Sequence, residues 1–261
     1  MTSKAVIYEE KGRVALISLN RPEALNASSY RLRADLMDAI KCAEENEQVR
    51  IVVLTGEGRG FSAGADLTEG FSDHHDNVTY HILKDHKPII DSIRHSEKTY
   101  IAALNGAVAG IGVGYALVCD LVTMGQSAYI YSPFAAISLV PDGGVTWYLT
   151  KFLGRARAYE MIITNGRMTS EECFQAGIAN KIFDDEKLRD GTLNWADELA
   201  GQVAPLAMRY AKKSVWAATE QGLFDTIKTE ATFQRTCIES EDFMEGVSAF
   251  AQKRKPTFKG Q

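Results

Sequence analysis

The chain opens on an apolar–polar rhythm of period two. AVIYEEKGRVALISLN holds two such runs, split by Lys11 and Gly12. Alternation on either side of a glycine turn predicts a pair of strands. The period then lengthens. In SSYRLRADLMDAIKCAEENE, Leu32, Leu36, Ile40 and Ala43 recur at helical spacing and share one face, and Ser28 or Ser29 can cap the start. VRIVVLTG is a short unbroken apolar run that stops at Gly56, the pattern of a buried strand. The opening order is therefore strand, strand, helix, strand.

The theme returns. Residues 100–104 predict an apolar strand that ends at Asn105 and Gly106. A small-residue stretch then leads into a helix over 113–119, and residues 121–124 restart a strand. YIYSPFAAISLVPDGGVTWYLTKFLG predicts a strand, a loop and a helix beginning near Gly143. After about residue 190 the apolar spacing is helical throughout. The expectation is an α/β fold, with a core over 1–195 and a helical region over 196–261. The wide apolar face of that last region suits either closure of the core or contact with another subunit.

Length and charge narrow the classes. The 261 residues suffice for one large domain or two small ones with a sizeable core. A net charge of −5 gives no support for a nucleic-acid or anionic-membrane partner. No apolar run is long enough to predict a transmembrane helix. The first residues lack the basic, apolar, small-residue order of a secretion signal, and TFKGQ is not a peroxisomal address. Cys42, Cys119, Cys173 and Cys237 show no CxxC spacing and read as buried free thiols. A cytoplasmic location is expected.

Two small-residue segments are candidates for chemistry: RGFSAGADL at 59–67 and NGAVAGIGVG at 105–114. Small side chains let a ligand lie against the backbone. Two amides converging on one oxygen would make an oxyanion hole, and close helix–strand packing is the other reading. The second segment matches a dinucleotide fingerprint loosely and lacks the later acidic residue. His74, His75, His81, His86 and His95 cluster in one polar region, but their irregular spacing predicts no metal site, and FSDHHDN reads as a loop. Asp120 reads as a structural hydrogen-bonding residue, and Glu160 as a solvent or subunit contact. Asp142, in LVPDGGVTW, is either a cap of the following helix or a base.

GRVALISLNRPEALNA, GRGFSAGAD, IAALNGAVAGIGVG, ALVCDLV and EGVSAFAQKRKPTF, in this order and spacing, resemble the enoyl-CoA hydratase/isomerase (crotonase) family over about residues 5–260. The resemblance implies a crotonase-type spiral of repeated strand–strand–helix turns, with C-terminal helices that drive trimers or dimers of trimers. It implies acyl-CoA thioester substrates and no separate cofactor, coenzyme A being part of the substrate. An enolate-like oxyanion would be held by the backbone amides of Ala65 and Ile111. Backbone near Leu25, Ala63, Asp66 and Leu67 would cradle the adenine end of coenzyme A. Phe250 and Lys253 match C-terminal residues that reach coenzyme A, with a solvated surface the alternative for Lys253. Tyr80, Gly110, Tyr115, Phe134 and Trp147 are the candidates for the acyl pocket.

The resemblance also separates branches. Hydratases of the family use two glutamates, one to activate water and one to handle the proton at the α-carbon. Their positions hold Gly114 and Phe134 here. In the Δ3,Δ2-enoyl-CoA isomerase branch a single acid stands further along, before small residues, and Asp142 holds that position. SPFAAISLVPDGGVTWYL and GRARAYEM resemble isomerases of the phenylacetate-degradation type. The expectation is an isomerase that shifts a double bond from C3 to C2. A hydratase using Asp142 alone and a non-catalytic acyl-CoA-binding protein are the alternatives. Burial among Phe134, Val140 and Trp147 is expected to lift the Asp142 carboxyl above its usual value of about 3.9.

Overall fold

The computed structural model describes residues 4–69 and 77–260. The chain begins with the antiparallel pair β1 (Val6–Lys11) and β2 (Val14–Leu19), then helix α1 (Tyr30–Glu45). Ser29 caps α1 through its hydroxyl, which accepts from the Leu32 amide at 3.2 Å. Ser28 is used elsewhere.

Three turns follow with one plan. β3 (Ile51–Gly56) and β4 (Gly60–Ser62) precede α2 (Asn77–His81) and α3 (Lys87–His95), which are joined by a π-helical turn at Ile82–His86. β5 (Thr99–Leu104) and β6 (Ala107–Ala109) precede α4 (Ile111–Leu117). β7 (Leu121–Gly125) and β8 (Tyr129–Tyr131) precede α5 (Val145–Ile163). Each turn gives its first strand to a six-stranded sheet, ordered β1-β2-β3-β5-β7-β10, and its second to a four-stranded sheet, ordered β4-β6-β8-β9. Equivalent strands of successive turns pair in parallel, so the chain winds as a spiral. The last two strands, β9 (Arg167–Thr169) and β10 (Lys181–Phe183), flank α6 (Ser170–Gln175).

The large sheet is covered on both faces, which explains its unbroken apolar strands. Ala15, Ile17, Val52, Leu54, Tyr100, Ala102 and Leu104 face the main core with α1, α3 and α4. Their alternates Val14, Leu16, Ile51, Val53, Ile101 and Ala103 meet Leu188, Ala196 and Ala200 of α7 (Leu188–Gln202). The expected division between 195 and 196 thus falls inside a continuous helix that packs on the sheet. α8 (Pro205–Ala218), α9 (Leu223–Ile238) and α10 (Glu241–Ala251) complete the chain.

Asp120 is a half-buried junction. It accepts from the Tyr100 amide at 2.8 Å and the Trp216 indole at 3.2 Å, and pairs with Lys212 at 2.9 Å. This is the structural role expected from the sequence. Among the described residues, no helix is long and apolar enough to cross a membrane.

Candidate active site

Three parallel strands lie side by side as β4-β6-β8, and each leads out of its C-terminal end into one of the candidate residues. Ala65 follows β4, Ile111 follows β6, and Asp142 lies on the loop after β8. Residues far apart in sequence therefore share one end of the small sheet. Crevices outside the carboxyl ends of parallel strands are where open α/β sheets bind ligands.

The first two segments touch through their glycines. A Cβ on Gly64 would lie 3.3 Å from the Gly110 Cα, and one on Gly110 would lie 3.2 Å from the Gly64 Cα. Both glycines have positive φ, +99° and +54°. Ile111 is the first residue of α4, where an amide has no partner within its own helix. Ala65 forms a single parallel bridge with Ser28. Ser28 donates its amide to the Gly64 carbonyl at 2.7 Å and accepts from the Asp66 amide at 3.3 Å. The Ala65 amide itself makes no hydrogen bond among the described residues.

Asp142 does not cap the helix after it. α5 is capped by Gly144, with no side-chain hydrogen bond, and Asp142 contributes its main-chain carbonyl to the Val145 amide at 3.0 Å. Its carboxylate Oδ1 is buried without a hydrogen-bond partner. A buried, unpaired carboxylate oxygen is costly and therefore a marked feature. Burial pushes its pKa up to about 6, opposed in part by its own peptide N–H. The rise matches expectation, but its source differs in detail. Phe134 is buried, whereas Val140 is 81% exposed and cannot shield the carboxylate.

The Gly114 and Phe134 positions carry no acid, and the structure shows more. A Cβ at Gly114 would fall 2.6 Å from the Gly143 carbonyl oxygen. A Cβ at Gly143 would fall 1.9 Å from the Ile111 Cδ1. The loop that carries Asp142 thus rests on the helix that starts the second amide, and it fills the space that a glutamate at Gly114 would need.

The remaining candidates divide. Leu25 has a left-handed backbone, φ 49°, and its carbonyl accepts from the Ala63 amide at 2.9 Å, so Leu25 and Ala63 sit together beside Ala65. Asp66 accepts from the Thr68 hydroxyl at 2.6 Å and pairs with Arg21 at 2.8 Å. The Thr68 bonds and Arg21 hold its carboxyl below the usual range. Leu67 and Tyr80 are exposed. Phe250, near the end of α10, is 87% exposed, and Lys253 just beyond it has φ 54°.

Two acyl-pocket candidates have other partners as well. Trp147 stacks on Trp216 with ring centres 6.0 Å apart and, with Tyr148 and Lys151, lines a groove of about 670 Å³ against α7 and α8. The helical period of α5 carries it to that surface. Tyr115 is fully buried, and its hydroxyl is taken up by Ser28 and His86. Sequence reasoning missed Ser28 and His86. Ser28 resembled a helix cap, and His86 looked like one member of a polar histidine run. Only the π-helical turn places His86 inward. His74 and His75 lie outside the described residues.

Comparison with known proteins supplies the family. A family model described as enoyl-CoA hydratase/isomerase matches residues 9–261. The 1,2-epoxyphenylacetyl-CoA isomerase of Escherichia coli strain K12 is 34% identical, covering 97% of each chain. The mitochondrial enoyl-CoA hydratase of Pongo abelii is 35% identical, over 98% of this chain and 88% of that one. A solved structure named "Enoyl-CoA Hydrates Subunit I" from Geobacillus kaustophilus HTA426 superposes with a TM-score of 0.93 at 35% identity, over 99% of this chain and 100% of that one. The spiral of paired strands is the crotonase fold, and the chain belongs to the enoyl-CoA hydratase/isomerase family.

Proposed function

We propose that this protein is an acyl-CoA isomerase that moves a double bond from C3 to C2 of an enoyl thioester. The observation that carries the reading is Asp142: a carboxylate with a buried, unpartnered Oδ1 and a pKa raised to about 6, beside two segments built to present amides. Likeness does not decide the reaction, because an isomerase and a hydratase stand at nearly equal identity.

The chemistry needs one carboxylate. The thioester oxygen sits between the Ala65 and Ile111 amides. Asp142 takes a proton from C2, and the electron pair moves onto that oxygen, where preorganised amides stabilise it by several kcal/mol. The electrons return through C2=C3, and Asp142, now neutral, gives its proton to C4. Proton and electrons balance within substrate and Asp142, so no cofactor enters. A base with a pKa near 6 is mostly ionised at neutral pH and still able to hold the proton. The gap at Gly114 supports isomerisation over hydration, since the Gly143 carbonyl fills the space of a second acid.

Leu25, Ala63, Asp66 and Leu67 would hold the adenine end of coenzyme A, with Phe250 and Lys253 reaching it from α10. The exposed apolar side chains of α9 and α10, among them Leu223, Phe224, Met244 and Val247, support self-association as a trimer or a dimer of trimers.

The test is direct. Purified protein with a 3-enoyl-CoA should generate the absorbance of a conjugated thioester, and Asp142→Asn should slow it about a hundredfold or more. Rapid loss of that absorbance from a 2-enoyl-CoA would assign a hydratase instead. Tight binding with neither reaction would assign a binding protein.

A further inference from the structure

We infer that Tyr115 is a positioning residue for the oxyanion hole, its buried hydroxyl tying the backbone around Ala65 to the helix that begins at Ile111. This rests on the reading that those two amides receive the thioester oxygen.

The connection can be followed atom by atom. Tyr115 lies four residues after Ile111, one turn along α4. Its hydroxyl is 3.1 Å from the Ser28 Oγ and 2.7 Å from the His86 Nδ1. Ser28 holds both neighbours of Ala65, through the Gly64 carbonyl at 2.7 Å and the Asp66 amide at 3.3 Å. The same Ser28 carbonyl accepts from the Arg33 guanidinium at 2.7 Å. One residue therefore suspends the Ala65 peptide, and Tyr115 fixes that residue from the side of α4.

All three members of the link are buried: Ser28, His86 and Tyr115. A buried hydroxyl needs partners, and here both partners belong to other segments. A hydroxyl can donate to one and accept from the other, so the strut holds whichever way the protons run. His86 stays neutral, because burial and the nearby Arg33 push its pKa down to about 4. Phenylalanine at 115 would keep the ring and remove the tie. Ser28 and His86 would each lose a buried partner, and the two amides would be free to drift apart. Hydrogen-bond donors for a developing oxyanion lose much of their effect when misplaced by a fraction of an ångström.

Tyr100 supplies the control. Its hydroxyl is also buried and bonds Glu44 at 2.8 Å, but it touches neither amide segment.

The experiment uses a saturated acyl-CoA carrying a ¹³C-labelled thioester carbonyl, which binds without reacting, and records the carbonyl stretch by difference infrared spectroscopy. Wild-type protein should shift the stretch to lower frequency. Tyr115→Phe should return it more than halfway to the free value, and Tyr100→Phe should leave it at the wild-type position. On substrate, Tyr115→Phe should lower kcat about tenfold with KM changed less than threefold. Ser28→Ala cuts the same tie from its other end and serves if Tyr115→Phe does not fold. The double variant should be no worse than either single one.

A wild-type carbonyl shift in Tyr115→Phe, a kcat within twofold of wild type, or fully multiplicative effects of the two substitutions would overturn the inference. If wild type shifts the carbonyl but does not isomerise, the reaction assignment fails, and the strut is judged on the spectrum alone. If wild type shows no shift, the oxyanion hole and the strut fail together.

Discussion

The Gly143 carbonyl oxygen stands 2.6 Å from the point that a Cβ on Gly114 would occupy. A side chain at position 114 and the present course of the Asp142 loop are therefore mutually exclusive. Gly114→Ala should cost about 1–3 kcal/mol of stability, as overpacking does. It should also displace Asp142 and lower kcat. Denaturant unfolding and steady-state kinetics together check this, and an alanine variant with wild-type values in both would refute the packing argument. Gly114→Glu should yield no hydratase activity, because the loop must move before the new acid fits.

Asp142 should set the pH dependence of the reaction. The base works ionised, so kcat/KM should rise with pH, reach half its plateau near pH 6, and stay level above. Asp142→Asn should reduce the rate by a factor of about 10²–10⁴. A wild-type profile flat from pH 5 to 8 would remove Asp142 from the role of base.

The same group should leave a mark on stability. Its folded pKa is raised, from 3.8 to about 6, so the folded state binds the proton more tightly than the unfolded state. Its contribution is therefore fully present below about pH 4 and is lost as pH rises to about 6, a swing of roughly 3 kcal/mol. Asp142→Asn should remove that swing. The measured quantity is the stability difference between variant and wild type from pH 4 to 8, which should move in favour of asparagine as pH rises.

Asp120 makes the opposite prediction. Its removal would leave Lys212 buried beside the carbonyls of Ile93 and Lys98, and would strip partners from the Tyr100 amide and the Trp216 indole. Asp120→Ala should cost about 3–5 kcal/mol. The kcat of the folded fraction should stay within a few-fold of wild type. A large kcat loss at full stability would recast Asp120 as part of the chemistry.

These residues also show what a sequence can carry. The β1–β2 turn at Gly12, the cap at Ser29 and the apolar runs of β3 and β5 were legible because local pattern and burial agree. Strands β4 and β6 were not, since Gly60–Ser62 and Ala107–Ala109 are short, small-residue segments whose pairing is long-range. Asp142 was singled out by its family register, and local pattern alone would have made it a cap, which the structure does not show. The stacking of Trp147 on Trp216 was not legible, because an aromatic residue on a helix can turn to either side of it. Ser28, His86 and Tyr115 come together only through tertiary structure, from the segment before α1, the π-helical turn and α4.

The contact between Gly64 and Gly110 has a consequence for how this sequence can change. Most tight pairs in a core can drift together, one side chain shrinking as the other grows. Here the meeting atoms are backbone on both sides, so there is nothing to shrink. A substitution at either glycine has no compensating partner, and the positive φ at each adds a second barrier. The pair should remain invariant in any functional descendant, while the buried side chain of Ile111 can change only as far as the core and Gly143 permit.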